Sequence, residues 1–133
     1  MESARAHFAA LGFAVKDVSA NASFDLLCTR ADRVLDVEVK GTTGGPESVL
    51  ITAAEARRAV GRYPDIALYV VSGIDLVGRN SLDPVASGGS VRVLDPWDVR
   101  ACRVEPVTLR CYLPTAQDNS QLSLQLPGGP DLV

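Results

Sequence analysis

Hydrophobic and polar positions change period several times along the chain, and each change marks an element. From Glu2 to Leu11 the apolar positions Ala4, Phe8 and Leu11 recur at helical spacing, and Gly12 follows as a stop, so the chain opens on an amphipathic helix. Phe13 to Val18 then alternates, with Phe13, Val15 and Asp17 set against Ala14, Lys16 and Val18, which is the period of a strand. Ser19-Ala20-Asn21 turns the chain, Phe24 to Thr29 forms a second short strand, and Arg30-Ala31-Asp32-Arg33 reverses it. Val34 to Lys40 carries the clearest strand signal: Leu35, Val37 and Val39 point one way, and Asp36, Glu38 and Lys40 the other.

Gly41-Thr42-Thr43-Gly44-Gly45-Pro46 is a loop, and Val49 to Thr52 is expected to be a brief strand. Thr52 followed by Glu55 forms a capping box, opening a helix that runs through Val60 and closes at Gly61. Ile66 to Ser72 is a continuous apolar strand of the kind covered on both faces. The Gly-, Asn-, Ser-, Asp- and Pro-rich stretch from Gly78 to Gly89 predicts a mobile loop, and Val91 to Leu94 a late strand. Pro96-Trp97 marks a turn or the start of a short helix, with Trp97 anchoring a core or a dimer face. Thr108 to Leu113 has the alternation of an edge strand, after which the Gln-, Ser-, Pro- and Gly-rich end predicts a loosely held tail. The order is helix, three strands, a short strand or loop, helix, strand. That is α/β in character, the early strands forming a meander flanked by helices. Residues 1–113 are expected to make one domain and 114–133 its tail.

Composition agrees with a packed domain. Of 133 residues, 47% are hydrophobic and 22% charged, the balance of a folded globular chain. The longest apolar run, Ile66 to Val71, falls well short of the ~20 residues that a membrane span needs. The opening residues carry no signal-peptide pattern, and Cys28, Cys102 and Cys111 have no metal-ligand spacing. Reduced, mostly buried thiols and a cytoplasmic location are therefore expected. The formal charge of −3 argues against a protein that coats nucleic acid, although it does not exclude DNA as a substrate. The single histidine, His7, sits in the first helix and leaves no Ser-His or Cys-His pair to expect.

The chemistry concentrates at Glu38 and Lys40. They share one face of a strand whose other positions are strongly apolar, and that strand ends in Gly41, where backbone can approach a phosphate closely. A short hairpin would bring Asp25 of the preceding strand beside Glu38. Two converging carboxylates repel unless a cation lies between them, and oxygen ligands with room for water suit Mg²⁺. A protonated lysine beside that cation would orient a water or stabilise a phosphoryl oxygen, a set suited to metal-assisted phosphodiester hydrolysis. Lys40-Gly41-Thr42 does not make a nucleotide-binding loop, because there the lysine must follow the glycines.

Other polar positions have plainer readings. Glu55 is a further candidate carboxylate, but the capping box accounts for it without function. Asp36 shares the face of Glu38 and is expected near the outer end of the strand, paired with Arg33 or solvated. Arg57, Arg58 and Arg62 cluster on the second helix, facing solvent or, alternatively, DNA phosphates.

Asp25, followed by Glu38-Val39-Lys40 on a hairpin after an N-terminal helix, resembles the PD-(D/E)XK restriction-endonuclease-like nucleases. Their core is αβββαβ, a central mixed sheet flanked by helices. The segments SFDLLCTR, VLDVEVKGTTG, VLITAAEARRA, ALYVVSGI and VRVLDPW, spanning about residues 2 to 113, more closely resemble the nuclease-like domain at the C-terminus of NO VEIN proteins. The resemblance implies that Asp25 and Glu38 bind Mg²⁺, with Mn²⁺ able to substitute, and that the Val39 carbonyl completes the metal shell. It gives Lys40 the attacking water and offers Glu2, in the first helix, as a further carboxylate. Where that family often has Gly-Tyr before the aspartate, this chain has Ser23-Phe24, which keeps the aromatic.

The resulting expectation is a DNA endonuclease acting in restriction, defence or repair, with DNA as partner. A homodimer, or a helicase, ATPase or other restriction or repair subunit, is the assembly that the resemblance brings with it. Two competing readings are a catalytically silent binding or assembly module and an RNA-cleaving enzyme.

Overall fold

The computed structural model describes residues 1–78, 82–83 and 85–115. The chain divides into two compact units, Met1–Arg103 and Val104–Val133. The first opens with helix α1 (Glu2–Ala10) and strands β1 (Ala14–Asp17), β2 (Leu26–Arg30) and β3 (Arg33–Gly41). Helix α2 (Ala53–Arg62) and strand β4 (Ile66–Ser72) follow. Three shorter strands, β5 (Asp75–Val77), β6 (Val85–Ser87) and β7 (Ser90–Leu94), precede a 3₁₀ turn at Val99–Ala101. The first six elements thus run αβββαβ. The main sheet has the order β1-β2-β3-β4-β7, and β5 with β6 forms a separate two-stranded ribbon. β1, β2 and β3 pair antiparallel as a meander, β3 and β4 pair parallel across the α2 crossover, and β7 returns antiparallel. The fold class is the mixed α/β sheet that the sequence pattern predicts.

Two apolar layers hold this sheet, one on each face. Ala4 and Phe8, one helical turn apart on α1, pack with Phe13 against Leu35 and Val37 of β3 and Ala67 and Tyr69 of β4. On the other face Ala59 of α2 packs with Ile66, Leu68 and Val70 of β4 and with Trp97 and Val99. Because β4 is covered on both sides it reads as an unbroken apolar run, and its predicted bounds hold. Trp97 is a core residue, 2% exposed. Gly12, at φ +89°, turns the chain out of α1, and Arg30 closes this corner with its guanidinium 4.4 Å from the Phe13 ring centre.

Four expectations are corrected. Val49 to Thr52 is not a strand: β3 and β4 already have neighbours on both edges, so Val49 and Ile51 instead pack their side chains on the α2-side core. Within the stretch read as a loop, Val85–Ser87 is a strand that pairs with Asp75–Val77, while residues 79–81 and 84 lie outside the described residues. In the second unit, described through residue 115, Thr108 to Leu113 forms no strand, and Leu109, Tyr112 and Leu113 are exposed, so alternation there buries no face. The predicted tail from residue 116 lies outside the described residues. Of the three thiols only Cys28 is buried, and burial is the main cause that pushes it up to about 11. Among the described residues no helix is long and apolar enough to cross a membrane.

Candidate functional site

Strand β3 has a different role on each face. Leu35, Val37 and Val39 enter the α1 layer, which leaves Asp36, Glu38 and Lys40 on the face covered by α2. Asp25 comes to the same end of the sheet from a bend one residue before β2, rather than from within that strand. Its backbone still follows the ladder: the Asp25 N–H donates to the Val37 carbonyl at 3.1 Å, and its own carbonyl accepts from Val18 at 2.9 Å. Its Oδ2 then accepts the Val39 N–H at 2.8 Å, taking the place of a further strand residue.

The Lys40 ammonium bridges two carboxylates, with Nζ 2.9 Å from Glu55 Oε2 and 3.4 Å from Glu38 Oε1. Glu55 reaches it from the first turn of α2 while its other role is kept. The Thr52 hydroxyl accepts the Glu55 N–H at 3.1 Å, and Glu55 Oε2 accepts the Thr52 N–H at 3.0 Å. The capping box is therefore present, yet it does not exhaust Glu55. The plainer reading missed this second role because a local motif carries no information about what the crossover brings beneath the helix start.

Charge and burial oppose each other here. Glu38 is 7% exposed, and burial, reinforced by the negative charges of Asp25 and Glu55, pushes its carboxyl up to about 7, with Lys40 opposing the rise. For Lys40, burial works against the charge, but hydrogen bonds to Glu55 and Glu38 and their charges prevail and raise it. The side chain is thus a fixed ammonium, a donor rather than a base. Burial likewise works to raise Glu55, but its bonds to Lys40 and to the Thr52 backbone hold it below the usual carboxylate range.

Asp36 plays another part. It is 3% exposed and accepts from two guanidiniums of α2, Arg58 Nη2 and, at 3.0 Å, Arg62 Nε. Arg33, expected as its partner, pairs instead with Asp95 at 2.9 Å. Arg58 and Arg62 are therefore tied to the sheet, and of the three arginines only Arg57 is on the exposed face. Glu2 lines a groove together with Val39, Lys40 and Gly41, but its exposed carboxylate pairs with Arg5 at 3.2 Å. The structure brings together Asp25, Glu38, Lys40 and Glu55, and it leaves Glu2 at the groove wall.

Among the described residues no three His, Cys, Asp or Glu side chains close into a metal-binding group. The donor set fits a divalent ion that binds through few protein ligands. Asp25 and Glu38 offer hard carboxylate oxygens at one strand end; burial first, and then the negative charge of Asp25, raise the Glu38 carboxyl, and such a cation offsets both. Mg²⁺ takes one or two carboxylates and keeps several waters, so two side chains with the Val39 carbonyl suffice.

The family model described as Protein NO VEIN, C-terminal, matches residues 1–82, which contain every residue of this constellation. No curated protein and no solved structure gives a significant match.

Proposed function

The chain belongs to the NO VEIN C-terminal family, and from that membership and the geometry around Lys40 we propose that it is a metal-dependent DNA endonuclease domain with a PD-(D/E)XK-type site. The observation that carries this reading is a single one: the Lys40 ammonium lies 3.4 Å from the buried Glu38 carboxylate and 2.9 Å from Glu55, at the strand end where the Asp25 carboxylate accepts the Val39 N–H at 2.8 Å. A purely structural ion pair would not need further carboxylates converging on the same strand end.

Asp25 and Glu38 would hold Mg²⁺ or Mn²⁺, with the Val39 carbonyl. When bound, the ion supplies a water of lowered pKa and neutralises charge on the phosphate. Asp25 is kept in place by the Val39 N–H, and Glu38 by its strand and by Lys40. Two of the three N–H bonds of Lys40 point to Glu38 and Glu55, and the third serves the attacking water or a phosphoryl oxygen. Glu55 fixes the ammonium from the helix. In-line attack by water, which gives up a proton to bulk solvent, forms a new P–O bond and breaks the bond to the 3′-oxygen, which takes a proton from bulk water. The products are a 5′-phosphate and a 3′-hydroxyl.

The test is cleavage of supercoiled plasmid and single-stranded DNA with Mg²⁺ or Mn²⁺, comparing wild type with Glu38→Ala and Lys40→Ala. Metal-dependent nicking that both variants lose supports the nuclease. No cleavage by the folded wild-type chain overturns independent activity and favours a binding or assembly module. Cleavage of RNA alone reassigns the substrate.

A further inference from the structure

Asp25 keeps two backbone bonds, to the Val37 carbonyl and from the Val18 N–H, but the segment that leads into it is irregular. Residues 21–25 are turn and bend, and strand pairing begins only at Leu26. The side chain that grips this segment comes from α2. Arg58 Nη1 donates to Ser23 Oγ at 3.1 Å, and its guanidinium carbon lies 4.1 Å from the Phe24 ring centre. Its other arm, Nη2, is on Asp36. Arg58 follows Glu55 by three residues, so one helical face carries both the group that holds Lys40 and the group that holds the approach to Asp25.

Neutralising Asp36 does not explain this geometry, because Arg62 already donates to the same oxygen at 3.0 Å. Among the described residues, moreover, nothing accepts a hydrogen bond from the buried Arg58 Nε. The guanidinium lies over Phe24, with its fork across Ser23 and Asp36. That use of a planar, forked cation is one a lysine does not reproduce.

We propose that Arg58 is a positioning residue that clamps Ser23 and Phe24 between α2 and β3 and thereby holds the Asp25 carboxylate on the Val39 amide, facing Glu38. The proposal rests on the reading of Asp25 as a site carboxylate, but its test needs neither metal nor activity. The Val39 N–H is the reporter, because its acceptor is the Asp25 carboxylate.

The experiment is amide hydrogen exchange of the full ¹⁵N-labelled chain in a chelator. Asp25→Ala sets the full effect at Val39. Arg58→Ala is expected to speed Val39 exchange by about tenfold or more, approaching Asp25→Ala, while Leu68 and Tyr69 in β4 stay as protected as in wild type. Arg58→Lys is expected to behave like Arg58→Ala. Arg62→Ala, which removes the second Asp36 partner but not the clamp, should leave Val39 unchanged. Should Arg58→Ala fail to fold, the double variant Ser23→Ala/Phe24→Leu removes the clamped groups and keeps the Arg58–Asp36 pair, with the same result expected at Val39. Val39 exchange within about twofold of wild type in a folded clamp variant overturns the proposal. A nuclease-inactive wild type with fast Val39 exchange in Arg58→Ala would overturn the proposed activity while leaving the clamp standing.

Discussion

Lys40 Nζ lies 2.9 Å from Glu55 and 3.4 Å from Glu38, so the ammonium is held more closely by the helix than by its own strand. The helix start and the strand end are therefore one unit. A change in α2 reaches the lysine without passing through the backbone of β3.

Glu55→Gln separates the two roles of that residue. Glutamine still accepts the Thr52 N–H, so the cap survives, but the charge that fixes Lys40 is gone. For the proposed nuclease, cleavage is expected to fall by about tenfold through loss of positioning, with a thermal midpoint close to wild type. A rate equal to wild type would mean that Glu38 alone sets the ammonium.

Glu38 makes stability depend on pH in a definite direction. Its folded carboxyl is raised from 4.5 to about 7, so between those values the folded chain holds a proton that the unfolded chain has released. Stability is lost as pH rises through this window, and the loss is complete above about 7. Glu38→Gln removes the titrating group. In urea titrations without metal, the variant should therefore gain on wild type as pH rises from 5 to about 7 and level off beyond. A difference that stays flat with pH would contradict the burial-driven shift.

Asp36 and Arg62 should differ in cost although they touch. Asp36→Ala leaves two guanidiniums without their carboxylate. Both are partly exposed and can turn toward water, which limits the loss to about 2–3 kcal/mol. Arg62→Ala leaves Asp36 with Arg58 and is expected to cost about 1 kcal/mol or less. Equal losses in denaturant unfolding would show that Arg58 alone does not satisfy the buried carboxylate.

Much of this architecture was legible because its signals are local. Ile66–Ser72 announces a strand covered on both faces, Thr52 with Glu55 announces a helix start, and the alternation of Leu35, Val37 and Val39 against Asp36, Glu38 and Lys40 sorts β3 into a core face and a polar face. What escaped is long-range. The pairing of Asp36 with Arg58 spans 22 positions, and nothing in the spacing distinguishes Arg58 from a solvated arginine. The sequence pattern puts Asp25 within a strand because Phe24 reads as β. In the structure the carboxylate caps the Val39 amide, and the strand starts one residue later. The ribbon at Val85–Ser87 hid among turn-forming residues because only its partner at Asp75–Val77 makes it a strand.

Two glycines should respond to alanine in opposite ways. At Gly61, within α2, an added Cβ meets nothing within 4 Å, so Gly61→Ala is expected to stabilise by up to about 1 kcal/mol through helix propensity. At Gly89, φ is +106° and an added Cβ would lie 2.7 Å from Val71 Cγ1 and 3.0 Å from the Ser72 carbonyl, so Gly89→Ala is expected to cost about 2 kcal/mol or more. Thermal melts of the pair check both signs.

The two-faced character of β3 also governs how the sheet assembles. A slip of one residue against β2 or β4 would turn Asp36, Glu38 and Lys40 into the layer of Phe8 and Tyr69, and would send Leu35 and Val37 to the α2 face. Burying those charges against aromatic rings without their partners from α2 would cost several kcal/mol each. The charged residues thus act as a proofreading device for strand alignment, rejecting the shifted pairing before any ligand is present.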